Sequence, residues 1–186
     1  MSTDTQAPTT GTRIARAALI GAVAGVIASL MMAAYAMIAA ATYQGSGFFT
    51  PLYHIASVFI SPADMMFSMK SATMGDSNFE FFAGPALLGA LIHMMVGAMY
   101  GVGFGVLASL TRIRGMALVA AAIVWGGLVF VVSSFVGLPL AAAIFNSGDQ
   151  ITNMAVLVGY GTFFVEHLIF GLFLGLILLM GAKRAH

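Results

Sequence analysis

From Ala17 to about Tyr43 the chain carries no Asp, Glu, Lys, Arg or His. A helix rises about 1.5 Å per residue, so about 20 apolar residues cross a ~30 Å hydrocarbon core. A cleaved signal peptide has an apolar core of only about 7–15 residues. This run is far longer and reads as an uncleaved first membrane helix, over about 14–43. Three more long apolar runs follow, over about 85–111, 116–136 and 151–181. A chain with four such runs is expected to be an all-α polytopic membrane protein, a bundle of four transmembrane helices.

Composition supports the same class. The 186 residues are 61% hydrophobic and 7% charged, and the mean hydropathy is +1.03. Soluble domains carry about 25% charged residues. The net charge of +1 and the lack of a basic face exclude a nucleic-acid partner. With no cysteine, disulfides, thiolate metal sites and cysteine nucleophiles are excluded. No hydrolase, kinase or metalloprotease motif is present, and Gly101-x-Gly103-x-Gly105 follows no strand, so it is no nucleotide loop.

The remaining organisation is read from breakers and charge. Residues 1–12 are polar and expected to be a disordered cytoplasmic tail, with 13–186 a single membrane domain. The segment 44–84 is too broken to span. Thr50-Pro51 and Ser61-Pro62-Ala63-Asp64 are helix-start signals. They predict two short helices near 51–60 and 62–70, whose aromatics suit an interfacial position in the first external loop. Gly137-Leu138-Pro139 is expected to break or kink the third helix, leaving 140–145 as a short interfacial piece. Of seven basic residues, Arg13, Arg16, Arg112, Arg114, Lys183 and Arg184 fall on one side and only Lys70 on the other. The positive-inside rule then predicts a plasma (inner) membrane protein with both termini cytoplasmic.

Chemistry is concentrated in two matching stretches. The second helix reads Gly89-x3-His93-x3-Gly97-x3-Gly101-x3-Gly105, and the fourth reads Glu166-His167-x3-Gly171-x3-Gly175. A spacing of four stays near one helix face, and glycine there lets another helix backbone approach. Gly89, Gly97, Gly101, Gly105, Gly171 and Gly175 are therefore expected to pack helices. Gly21, Gly25 and Ser29 form a similar face on the first helix. His93 lies 19 residues before Arg112 and His167 lies 16 before Lys183. The two helices run in the same direction, so the histidines differ in depth by only about 4.5 Å. An ionisable group at that depth is costly and asks for a partner. Glu166 and His167 are adjacent, about 100° apart on a helix, and are not expected to face one spot.

Taken together, the first helix Ala18–Ser29, the His93 helix with its Arg112–Arg114 turn, the Phe135–Pro139 break and Glu166-His167-Leu168 resemble the YagU-like family of small four-helix inner-membrane proteins. That resemblance implies the fold, the location and a part in acid tolerance. It supplies no catalytic site.

His93, Glu166 and His167 are the candidate polar site. As packing groups they would form an interhelical hydrogen bond. As functional groups they would serve a proton, ion or small-solute pathway, a b-type haem or a metal. In the external loop, His54, Met65 and Met69, with Met66 and Met74 nearby, form a candidate copper site, since thioethers suit Cu(I). No cofactor is required by any motif. The expected role is non-enzymatic, in packing, assembly or stress protection. Transport through the His93/His167 pair and haem or copper binding are the alternatives. The expected partners are the lipid bilayer and a second copy or another membrane subunit.

Overall fold

The computed structural model describes residues 9–183, and these form helices and turns with no strand. Thr9 caps the first helix, its Oγ1 accepting from the Thr12 N–H at 3.3 Å. Helix α1 therefore begins at Thr10 and runs Thr10–Thr42, inside the segment expected to be a tail. The rest of that tail, residues 1–8, and Arg184 near the C-terminus lie outside the described residues.

The loop 44–84 contains α2 (Thr50–Ala56) and α3 (Ala63–Met74). Tyr53 ties it together. Its hydroxyl donates to the Glu80 carbonyl at 2.7 Å and accepts from the Phe82 N–H at 2.8 Å. Thr50 and Ser68 share a buried hydroxyl–hydroxyl bond of 2.9 Å between α2 and α3. Helix α4 spans Ala83–Thr111 and ends on Arg112 at φ 56°. That left-handed residue and Gly115 at φ 63° make the basic turn into α5, Met116–Val132.

The stretch Gly137-Leu138-Pro139, expected to break or kink the helix, disturbs it without ending it. A π-helical turn, Ser133–Gly137, joins α5 to α6, Leu138–Phe145. Proline has no N–H to give the carbonyl four residues earlier. The wider turn absorbs this loss, with the Leu138 N–H bonding five residues back to Ser133. The result is one apolar rod from Met116 to Phe145, and the piece expected at 140–145 belongs to it. The last long helix begins at Tyr160, not near 151. Gly159 at φ 85° separates it from two short helices, α7 (Asp149–Thr152) and α8 (Met154–Val158). Helix α9 covers Tyr160–Lys183.

Among the described residues four helical segments are long and apolar enough to cross a membrane: Thr10–Thr42, Ala83–Thr111, Met116–Phe145 and Tyr160–Gly181. Their outward faces expose Val23, Leu87, Met95, Val124 and Leu128, far more contiguous apolar surface than a soluble monomer carries. Such a surface is compatible with a membrane protein.

The helices assemble as two antiparallel hairpins. In the first, α1 lies along α4. A methyl group built on Gly101 would stand 2.8 Å from Gly25 Cα, and one on Gly105 would stand 3.0 Å from Gly21 Cα. In the second, α5 lies along α9. A methyl group on Gly171 would stand 2.9 Å from Ile123 Cα, and one on Gly175 would stand 2.8 Å from Val119 Cα. Gly89 serves a different contact, with the Leu52 backbone of α2 seated against it. The hairpins join along α1 and α9 through Ala24, Ala28, Met32, Phe170 and Leu174. By contrast, α4 and α5 hardly touch, although they are neighbours in sequence.

Candidate functional site

The gap between α4 and the Met116–Phe145 rod is where the polar residues meet. Toward the loop end it widens into a cavity of about 480 Å3. Helices α1 and α9 form its floor through Ser29, Ala33, Phe163 and Phe170, and α2 covers it through His54 and Ile55, with Val58 just beyond. Met95 and Met99 line it from α4 while remaining 71% and 60% exposed. The mouth therefore opens sideways between α4 and the rod. Within its lining, Tyr100 and Ser133 approach across the gap, hydroxyl to hydroxyl, at 3.4 Å.

His93, Glu166 and His167 all border this cavity. His93 is partly buried on α4. Its Nε2–H donates across the hairpin to the Ser29 carbonyl of α1 at 2.9 Å. His167 is buried on α9, and its Nδ1–H donates to the Phe163 carbonyl one turn back at 2.7 Å. A carbonyl can only accept, so these bonds assign the tautomers. Each ring has spent its proton on backbone and keeps one bare nitrogen, Nδ1 in His93 and Nε2 in His167. Phe163 and Phe130 stand edge-on to the His167 ring, with centroids at 4.6 and 5.8 Å.

Glu166 is only 4% exposed. Among the described residues its carboxyl meets neither a hydrogen-bond donor nor a cation. Adjacent positions 100° apart were not expected to share a spot. They reach one cavity because its wall extends around that arc of α9. Among the described residues no group of three or more His, Cys, Asp or Glu is arranged to hold a metal ion. A metal set of His93, Glu166 and His167 is not formed: each ring points one nitrogen at backbone, and Glu166 leaves α9 in a different direction from His167.

The loop residues proposed for copper lie in three different surroundings. His54 lines the cavity and its Nε2–H donates to the Gln150 carbonyl at 2.7 Å, linking α2 to α7. Burial lowers its pKa from the usual imidazole value, against the opposing effect of that hydrogen bond. Met65 is buried with Leu52, Tyr53 and Ala86, and Met69 is 39% exposed.

Sequence reasoning passed over Gly126, against which the His167 carbonyl is seated. It also passed over Tyr100 as a partner of Ser133. The only signal for Gly126 was a lone pair, Gly126-Gly127, without a repeating spacing. Compared with family models, curated proteins and solved structures, the chain matches none of them.

Proposed function

We propose that this is a non-catalytic protein of the plasma (inner) membrane, with both termini cytoplasmic, that binds and moves a small, largely apolar solute. One observation carries this reading: a 480 Å3 cavity, open sideways between two apolar helices, is bordered by His93, Glu166 and His167. Its volume falls in the range of small-molecule sites, and its walls are mainly apolar with a few convergent polar groups. A purely structural role would call for a filled interior here, since packed interiors leave few voids larger than a water. The resemblance to YagU-like proteins agrees with the location and the helix number. The orientation follows the basic residues, with Arg112 and Arg114 in the cytoplasmic turn and Ser46 and Ser147 on the outer side.

The test is a cavity-filling variant. A neutral naphthyl dye should bind the purified protein in lipid nanodiscs and lose at least most of that binding in Ala141→Trp, which places an indole in the cavity wall. Equal binding by both proteins would put the dye in the lipid and overturn the reading. Cysteines at Ser46 and Ser147 should label from outside intact cells and one at Arg114 should not. The reverse pattern would invert the topology.

A further inference from the structure

The cavity is unusual in what it offers a ligand. The ring protons of His93 and His167 are committed to the carbonyls of Ser29 and Phe163. The nitrogens left over, His93 Nδ1 and His167 Nε2, can only accept while the rings are neutral. Glu166 adds a carboxyl that is buried and without a partner. Among the described residues no lysine or arginine lines the cavity. A buried carboxylate with no counter-ion is strongly disfavoured, and a cation that reaches it removes that penalty. The walls around it are Phe163, Phe170, Val129 and Met154, which suit an apolar or aromatic body. The mouth between Met95, Met99 and the rod faces the apolar exterior, so a ligand that partitions into lipid reaches it directly.

We infer that the ligand is a lipophilic amine, an apolar body bearing a protonated nitrogen with at least one N–H, held at the Glu166 carboxylate with His93 and His167 as further acceptors. This rests on the solute-binding reading above and narrows it. The ammonium gives Glu166 its missing counter-ion. Its N–H groups offer donors to the acceptors left open on the two rings. A neutral ligand of the same shape fills the volume but leaves the carboxylate alone. A carbonyl ligand adds an acceptor to a site already rich in them.

The full chain in nanodiscs of uncharged phosphatidylcholine tests this with two probes, 2-(1-naphthyl)ethylamine and its alcohol 2-(1-naphthyl)ethanol. Binding is read against empty nanodiscs. The amine should bind about tenfold or more tighter than the alcohol, as loss of a buried charge pair implies. Glu166→Gln should bring the amine close to the alcohol and leave the alcohol unchanged, while Glu166→Asp keeps part of the preference. If Glu166→Gln does not fold, the preference of the unmodified chain decides. Equal affinity for the two probes would overturn the amine assignment, as would a preference that survives Glu166→Gln. In either case, dye binding that is still sensitive to Ala141→Trp leaves the cavity reading standing. If that sensitivity is also absent, both readings fall.

Discussion

The α1–α4 and α5–α9 hairpins use the same device in different amounts. In the first, Gly21, Gly25 and Ser29 face Gly105, Gly101 and Gly97, so two backbones run together over successive turns. In the second, Val119, Ala122 and Gly126 face Gly175, Gly171 and the His167 backbone. The glycine-richer seam carries its histidine ring across the interface, from His93 to the Ser29 carbonyl. The second seam uses the backbone of its histidine, and the ring folds back to Phe163 on its own helix. Residue type and spacing match, yet the roles differ. A helical carbonyl is within reach of a ring on the facing helix where that seam brings the backbones close. His93 therefore helps hold a hairpin as well as lining the cavity, whereas the His167 ring lines the cavity without bridging two helices.

The strongest way to break this comparison is to widen the first seam. Gly101→Leu forces a branched side chain against the Gly25 backbone, which cannot yield as a side chain tip would. Overpacking of this kind costs about 3 kcal/mol or more at its upper end. Thermal unfolding in micelles should show a larger loss for Gly101→Leu than for a leucine at Gly103, where the nearest neighbour is the Trp125 ring at 3.3 Å. Equal losses would mean that the seam is not backbone on backbone.

The histidines sharpen it next. His93→Ala should cost stability of about 0.6 kcal/mol, the mean for an interhelical hydrogen bond in a membrane. His167→Ala should cost less stability, because its ring bonds within its own helix, and both variants should weaken binding of the naphthyl amine. The double-mutant cycle in stability should show little coupling. If both variants lose the same stability, the contrast between hairpins fails.

A smaller effect tests where the halves meet at the loop end. His54 on α2 bonds to α7, so it ties the loop of the first half to that of the second. Burial depresses its pKa in the folded chain below the unfolded value of 6.5. The folded state then binds fewer protons than the unfolded one at mildly acid pH. Stability should be at its full value above about pH 6.5 and fall as pH drops below it. His54→Phe should flatten that slope in melts taken between pH 7.5 and 5, and a slope that persists would place its origin elsewhere.

The smallest expected change is a gain. Gly84 and Gly161 sit in first turns with nothing within 4 Å of an added methyl. Each Gly→Ala should be neutral or stabilise by about 0.5–1 kcal/mol, as measured in the same melts. A loss at either site would mean that an unrecognised neighbour packs there.

Hydropathy alone marked the four long helices, because a run of apolar side chains long enough to cross lipid has few other stable uses. The x3 spacing of Gly97, Gly101 and Gly105 marked a packing face, because four residues return to nearly the same side of a helix. It did not say which helix would come to it, and Gly89 went to α2. Pro139 marked a disturbance, and only the surrounding packing turned it into a π turn within a continuous rod. Thr9 moved the start of α1 earlier through one side-chain bond, and Gly159 moved the start of α9 later through one backbone angle. His93, Glu166 and His167 stood out because ionisable groups in apolar runs are costly. Their common cavity came from the tertiary structure, since it depends on α4 and α5 failing to close and on α2 covering the gap. Local sequence sets the period and polarity of each helix, whereas the space left between helices depends on all of them together.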